Sequence, residues 1–140
     1  MLFAGSSWGK TLDIVQREMD VSVLRRDVIA NNIANADTPN FKRSVVDFES
    51  QLSAALNSEK PNDNLQAKLN NPRQIPFYRP IDYRTVRPRV VLDYLSTSNN
   101  NGNNVNLEQS MMNALNNQLE YQLLAQEVTS QFQRVMTVLK

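Results

Sequence analysis

Apolar side chains recur at helical spacing between residues 8 and 34, in a stretch that contains no proline. One strip follows spacings of three and four residues, is interrupted by Ser22 and Arg26, and consists of Leu12, Val15, Met19, Ile29 and Ile33. A second strip on a neighbouring face consists of Ile14, Val21, Leu24 and Val28. This periodicity predicts one long amphipathic helix. Because one partner would cover only one strip, we expect packing partners on two sides.

The end of the chain carries a stricter pattern. Positions from 107 to 139 alternate at spacings of four and three, and Gln118 alone interrupts the apolar or aromatic series Leu107, Met111, Ala114, Tyr121, Ala125, Val128, Phe132, Val135 and Leu139. This heptad register predicts a second long helix with a coiled-coil-like seam. Asn106 is placed to cap its N-terminus, with Gln109 three residues later as in a capping box.

The segment between these helices has a different character. Residues 48–57 repeat apolar side chains four apart and predict a short helix. Five of the six prolines lie between residues 61 and 88, and they exclude a long helix there. Residues 86–95 predict a β-strand or hairpin arm. Residues 96–104 are rich in Ser, Thr and Asn and predict a polar linker, or hinge, with little to bury.

The predicted fold is therefore mostly α. Two long helices at the ends of the chain pair as a coiled-coil-like core, and an extended arm containing Pro and Arg joins them, with a short β-strand or hairpin. We expect three divisions: an N-terminal part, residues 1–57, with the helix, a turn and the short second helix; the arm and Asn-rich linker, residues 58–105; and the C-terminal helix, residues 106–140, packing on the N-terminal one.

The amino-acid composition excludes several kinds of catalytic and metal-binding site. The 140 residues include no Cys and no His, so disulfides, thiolate or imidazole metal sites and a Ser-His-Asp triad are excluded. Three glycines cannot supply a dinucleotide fingerprint or a phosphate-binding loop. We therefore predict no enzyme, no catalytic or metal residues and no cofactor. No apolar run approaches the length of a membrane span, and the first residues do not resemble a cleaved secretory signal.

The run from residue 32 to residue 43 is the most specific motif. Asn35 suits a helix C-terminus, Pro39 presets the backbone for position i+1 of a turn, and Asn40 tolerates the positive φ of position i+2 in a type II turn. Phe41 would then be directed back toward the helix. An arbitrary Thr-Pro-Asn sequence would indicate no more than an ordinary helix end.

The whole run, however, resembles the N-terminal signature of bacterial flagellar rod, hook and hook-associated proteins. The matching residues are Asn32, Ile33, Ala34, Asn35, Thr38, Pro39 and Phe41, and Asn40 stands where that family usually has Gly. Residues 101–108 and 117–122 are similar to the closing helix of the proximal members of the basal-body rod family. Both ends match in order, whereas the middle of the chain carries no specific resemblance.

The resemblance implies a structural subunit of the flagellar proximal rod, which polymerises with other rod proteins into a hollow drive shaft. It implies that the terminal helices pair, either antiparallel or parallel, without catalytic activity or cofactor. Implied partners are copies of the chain, other rod proteins, membrane-ring (MS-ring) and rod-junction proteins, and the flagellar type III export apparatus. The implied location is the rod in the periplasmic space, reached without a cleaved signal peptide, with no membrane insertion and no nucleic acid.

A basic segment leaves two interpretations open. Aromatic residues alternate there with the arginines Arg73, Arg79, Arg84, Arg87 and Arg89. The favoured interpretation is a solvated arm or a surface that docks acidic neighbouring subunits, because Arg and Tyr are also frequent at protein interfaces. The alternative is a small RNA-binding protein in which residues 73–89 clamp phosphates and stack bases. Tight, salt-dependent binding of single-stranded RNA would favour that alternative.

Overall fold

A computed structural model describes residues 6–59, 70–71, 73–74, 80–96 and 100–138. Helix α1 spans Ser7–Ala34, strand β1 Ser44–Asp47, helix α2 Glu49–Glu59, a 3₁₀ turn Tyr83–Thr85, strand β2 Arg89–Leu92 and helix α3 Leu107–Val138. The mostly helical fold class is confirmed, as are the two long helices and the short α2. Strand β2 lies inside the predicted strand segment, whereas β1 was not predicted.

Both long helices begin at the side chains that the sequence supplies as caps. The Ser6 hydroxyl accepts a hydrogen bond from the Gly9 N–H at 3.1 Å, and Asn106 Oδ1 accepts one from the Gln109 N–H at 2.9 Å. These bonds satisfy N–H groups that have no partner within the helix. The Gln109 side chain donates forward to Asn113 Oδ1 at 3.1 Å, which is not the backward contact of the expected capping box.

The long helices α1 and α3 pack against each other in antiparallel orientation. Near the start of α1, Trp8 meets Phe132 edge to face, with ring centroids 6.0 Å apart. Farther along α1, Asn117 Nδ2 donates to the Ser22 carbonyl oxygen at 2.9 Å. The partner position on α3 therefore falls as the position on α1 rises. This decides between the two helix orientations that the sequence left open.

The face that α3 turns toward α1 contains only part of the predicted heptad seam. Its buried residues are Ser110 and Asn117, whereas the expected seam residues Met111 and Phe132 are 54% and 48% exposed. Four members of the predicted seam are half-buried, namely Ala114, Ala125, Val128 and Val135. The α3 face is thus turned by roughly 50° from the most apolar seam, half of the angle between successive residues.

Strands β1 and β2 form a two-stranded antiparallel sheet. A sheet this small is marginal by itself in water. Two contacts beside it supply further support. The Asp93 N–H donates to the Arg43 carbonyl oxygen at 2.9 Å, and the Arg43 guanidinium lies 2.7 Å from Asp93 Oδ2.

The described chain forms two compact units, one within Met1–Val46 and Val90–Lys140 and the other within Asp47–Arg89. In the second unit the buried apolar residues are Phe48, Leu52, Ala55, Tyr83 and Val86. The Ser58 hydroxyl accepts from the Ile81 N–H at 2.8 Å and so ties the end of α2 to the segment before the 3₁₀ turn. Hydrogen bonds from Ser50 and then Gln51 lower the pKa of the Asp47 carboxyl.

Candidate functional site

The motif after α1 folds as a tight turn. Asn35 is the C-terminal cap of α1, and the Phe41 N–H donates to the Thr38 carbonyl oxygen at 3.3 Å. Asn40 has a φ of 60°, the left-handed backbone that position i+2 of a type II turn requires. Asparagine is one of the few residues other than glycine that adopts this conformation readily. The turn predicted from Pro39 and Asn40 is confirmed.

The loop before α3, residues 100–106, closes over this turn. The Asn103 side chain is 1% exposed, and its Nδ2 lies within hydrogen-bond distance of three backbone carbonyl oxygens, at 2.9 Å from Asn35, 2.9 Å from Ala36 and 2.8 Å from Thr38. Its Oδ1 accepts from the Val105 N–H at 2.6 Å. One buried amide therefore satisfies carbonyl groups at the end of α1 and an N–H just before α3. We call Asn103 and Asn104 the asparagine cap.

Asn104 makes the second set of bonds in the asparagine cap. Its Oδ1 accepts from the Arg43 N–H at 2.7 Å, and its Nδ2 donates to the Asp93 carbonyl oxygen at 2.5 Å and to the Ser96 hydroxyl at 3.2 Å. The side chain is buried, and it bridges the segments beside β1 and β2. The turn, the sheet and the start of α3 are thus joined by two adjacent amides.

Two residues with positive φ meet where the turn and the loop touch. Gly102 has a φ of +78°, and a Cβ atom added there would lie 2.6 Å from Asn40 Oδ1. The Asn40 N–H donates to the Asn101 carbonyl oxygen at 3.1 Å, and Lys42 Nζ donates to the Gly102 carbonyl oxygen at 2.6 Å. Glycine is favoured because L side chains rarely adopt this φ, and an added Cβ would also force the Asn40 side chain to shift.

The ion pair between Arg43 and Asp93 lies beside the asparagine cap, and several donors bind its carboxylate. Asp93 Oδ2 accepts from the Ser96 hydroxyl at 2.7 Å and from Arg43 Nε at 2.8 Å, and Asp93 Oδ1 accepts from the N–H groups of Leu95 and Ser96. Hydrogen bonds hold the pKa of the Asp93 carboxyl well below its usual range. The bond from the Ser96 hydroxyl has the largest effect, followed by those from the Ser96 N–H and from Arg43. The carboxylate is therefore charged throughout the neutral pH range.

Asn32 anchors the other side of the turn to β1. Its Oδ1 accepts from the Ser44 N–H at 2.9 Å, and its Nδ2 donates to the Ser44 carbonyl oxygen at 2.7 Å. The amide thus makes the pair of bonds that a neighbouring strand would make. Asn32 is buried, and Ile33 beside it is half-buried.

These contacts use Asn amides as connectors between backbone segments, which is a structural task. Among the described residues, no group of three or more His, Cys, Asp or Glu side chains is placed to hold a metal ion. Within the same residues, no helix is long and apolar enough to cross a membrane.

The structure brings the residues of the predicted turn motif together. The importance of the loop was missed, because residues 96–104 were expected to be a linker with little to bury, whereas Asn103 and Asn104 are among the most buried polar residues. The available signal was the Asn-Gly-Asn-Asn-Val run directly before a helix cap. Polarity alone was misleading, since amides bury readily when every donor and acceptor is satisfied.

The remaining predicted site residues are spread over the molecule. On α1, Leu12, Val15 and Met19 are half-buried and Ile29 is buried; on α3, Leu107 and Tyr121 are exposed and Ala125 is half-buried. The described arginines of the basic segment, Arg73, Arg84, Arg87 and Arg89, are exposed. Arg84 also lies over the Tyr83 ring, 5.6 Å from its centroid. Leu139 and Arg79 lie outside the described residues.

Helix α3 carries an exposed apolar surface that we call the outward strip. Its members are about half exposed or more: Met111 54%, Met112 54%, Leu115 52%, Leu119 50% and Leu123 65%. A helix with one face on α1 and another apolar face in solvent is typical of a subunit that packs against further helices. Fold and site together are those of a structural protein that assembles with other subunits.

Comparison with known proteins agrees with this class. A family model described as "Flagella basal body rod protein" matches residues 24–42, the C-terminal part of α1 together with the turn. A flagellar basal body rod protein FlgB of Borrelia hermsii is 41% identical over 130 residues, covering 93% of this chain and 96% of the relative. The FlgB of Borreliella burgdorferi is 40% identical over 131 residues, covering 94% and 96%, and that of Bacillus subtilis is 29% identical over 140 residues, covering 99% and 95%.

This chain belongs to the FlgB family of flagellar basal-body rod proteins. It is a structural subunit of the rod and not an enzyme. The matched segment ends at Lys42, beside the contacts that the loop makes with the turn. The comparisons give no support to the alternative of an RNA-binding protein.

Proposed function

We propose that this chain forms the proximal part of the flagellar rod, where it polymerises with its own copies and with other rod proteins into the hollow drive shaft. The outward strip of α3 is the observation that supports this proposal. Its five side chains are half exposed or more in the single chain, although α3 is long and regular. Neighbouring subunits would remove these side chains from water.

The strip is large enough to matter energetically. Burying apolar surface stabilises an interface by about 25 cal/mol per Å², so each of these side chains contributes on the order of 1 kcal/mol when half of it becomes buried. Repetition along a helical assembly multiplies this gain, because every subunit offers the same strip to its neighbours. The predicted seam residues Leu107, Met111 and Phe132 would then pair helices between subunits rather than within one.

The exposed arginines of residues 73–89 would dock acidic surfaces of neighbouring subunits. Arg73, Arg84, Arg87 and Arg89 are exposed, and the whole chain has a net charge of only +1. The rest of the chain is therefore slightly acidic, and contacts between unlike surfaces of successive subunits generate open helical assemblies.

Family membership supports the remaining assignments. We propose the periplasmic part of the rod as the location, the membrane ring and rod-junction proteins as neighbours at the base, and the flagellar type III export apparatus as the route. The segments from Phe41 to Val45 and from Phe48 to Leu52 have the spacing of an aromatic residue followed four residues later by an apolar one. Either segment is a candidate for recognition by the export apparatus.

A substitution on the outward strip tests the proposal. Leu119→Asp places a charge on the exposed side of α3, away from α1, so the single chain should keep its helix content. We expect basal bodies that stop before the rod, and non-motile cells with normal amounts of the protein. The matched control is Asn116→Asp, at a neighbouring exposed and already polar position. Normal rods and motility in the Leu119→Asp strain would overturn the proposal.

Phe132→Asp gives a second test at the other end of α3. Phe132 is half exposed and also meets Trp8, so this substitution should weaken the end of the α1–α3 pair as well as assembly. We expect loss of rods and motility with synthesis intact. Rods of normal length in this strain would show that the end of α3 takes no part in subunit contacts.

A further inference from the structure

The contact between Asn117 and Ser22 is an unusual feature of the α1–α3 interface. Asn117 is 5% exposed and Ser22 is 1% exposed, so a polar pair lies where two helices pack face to face. Asn117 Nδ2 donates to the Ser22 carbonyl oxygen at 2.9 Å, across 95 residues of sequence. It is thus a contact between the side chain of one helix and the backbone of the other.

This polar pair is incompletely satisfied. Among the described residues, Asn117 Oδ1 and the Ser22 hydroxyl have no hydrogen-bond partner, although both atoms are buried. Buried polar groups without partners destabilise a fold, whereas an apolar side chain of similar size would stabilise it. The contact is therefore a poor source of stability, and a different physical role has to account for it.

The helix α3 offers a more apolar face than the one it uses. The predicted seam places Met111 toward α1, whereas in the observed packing Ser110 is 9% exposed and Met111 is 54% exposed. A rotation of α3 about its axis by roughly 50° would exchange one face for the other. Hydrophobic burial alone favours the predicted seam. The observed orientation gives Asn117 Nδ2 an acceptor, the Ser22 carbonyl oxygen, which the alternative orientation would take away.

We propose that Asn117 is the residue that determines which face of α3 packs on α1, and that its bond to the Ser22 carbonyl selects this orientation at some cost in stability. A single polar residue in the seam of a helix pair has this effect in coiled coils, because only one register provides its partner. The consequence is that Met111 stays exposed. The inference concerns the single chain and does not depend on the proposed function.

The absence of cysteine makes a direct test practical, since any introduced thiol is the only one in the chain. Two probes are made separately: Met111→Cys at a position 54% exposed, and Ser110→Cys at a position 9% exposed. Each probe is combined with Asn117→Leu, and the rate of reaction with a small thiol reagent is measured on the full chain, with helix content followed by circular dichroism.

The expected result is a pair of opposite changes. With Asn117→Leu, labelling at Met111→Cys should slow by about threefold or more, and labelling at Ser110→Cys should become faster by a similar factor. The reason is that α3 turns about its axis, so the first position becomes buried and the second exposed. A general loosening of the helix pair would speed both rates, and tighter packing in the same orientation would slow both. Either of these results would overturn the proposal, and so would unchanged rates.

Three further variants complete the test. Ser22→Ala removes the hydroxyl but keeps the carbonyl acceptor, so both labelling rates should stay as in the parent probe proteins. Asn116→Leu makes the same chemical change at an exposed position and should also leave the rates unchanged. Asn117→Ala removes the amide without adding bulk and should reproduce the opposite changes. If both Asn117 variants lost their helix content, Asn117 would be needed for folding rather than for orientation, and the proposal would be wrong.

Discussion

Asn103 Nδ2 lies 2.8 Å from the Thr38 carbonyl oxygen, so one side chain just before α3 holds the turn that follows α1, 65 residues earlier. The same nitrogen lies 2.9 Å from each of the carbonyl oxygens of Asn35 and Ala36. The two most recognisable motifs of the chain are therefore one structure. Neither motif is complete without the other.

The first prediction concerns the donor in this contact. Asn103→Ala removes the amide that satisfies buried carbonyl groups and the Val105 N–H, and it should lower the free energy of unfolding by roughly 2–4 kcal/mol. Asn103→Asp keeps the shape but places a carboxyl oxygen against carbonyl oxygens, so it should destabilise at least as much. Urea unfolding followed by circular dichroism measures both, with Asn100→Ala at an exposed position as the control. A loss under 0.5 kcal/mol in both variants would contradict this account.

The second prediction concerns the two positions with positive φ. Gly102→Ala should lower the free energy of unfolding by about 1–3 kcal/mol, because the backbone conformation is strained for alanine and the new Cβ meets Asn40 Oδ1. Asn40→Gly should be neutral or slightly stabilising, since glycine adopts positive φ without strain. In the double variant the collision is removed, so the loss should be smaller than the sum of the two single effects. Strict additivity would show that the two residues do not touch.

The third prediction concerns pH. Because the pKa of Asp93 is lower in the folded chain than its unfolded value of about 3.9, its contribution to stability is present above that value. The contribution is lost as pH falls through the lower folded pKa. The stability difference between the natural chain and Asp93→Asn should therefore be largest near neutral pH and should narrow progressively below pH 4. Urea midpoints across the acid range measure it.

A spectroscopic control accompanies this pH series. Ser96→Ala removes the donor with the largest effect on Asp93, so the pKa of the Asp93 carboxyl, followed by NMR, should rise toward its ordinary value. A stability difference that stays constant from neutral to strongly acid pH would rule out the Asp93 carboxylate as its source.

The fourth prediction uses the single tryptophan as a reporter of the helix pair. Phe132→Ala removes the edge-to-face partner of Trp8 and should cost about 0.5–1.5 kcal/mol beyond the lost apolar burial. Trp8 fluorescence should shift to longer wavelength as water reaches the indole. Met136→Ala, one turn farther along α3 and 60% exposed, is the matched control. An unchanged emission spectrum in Phe132→Ala would mean that the two rings are not in contact in solution.

Local signals in the sequence determined most of the secondary structure. The helical periodicity of residues 8–34 and 107–139, the cap at Asn106 and the turn at Pro39 and Asn40 are all local properties. Each depends on a few neighbouring side chains and their backbone preferences, so they can be predicted without knowing the fold. The family resemblance lies in the same segments.

Only the tertiary structure decided which distant groups meet. The burial of Asn103 and Asn104, the pairing of β1 with β2 and the orientation of α3 depend on bonds between residues far apart in sequence, such as Asn104 with Arg43 and Asn117 with Ser22. From its polarity, the asparagine loop was predicted to have little to bury. From the apolar content of α3, a face different from the observed one was predicted to pack on α1. For the asparagine loop, hydrogen bonds to backbone groups offset the cost of burying the two amides. For α3, we attribute the observed face to the acceptor that it gives Asn117 Nδ2.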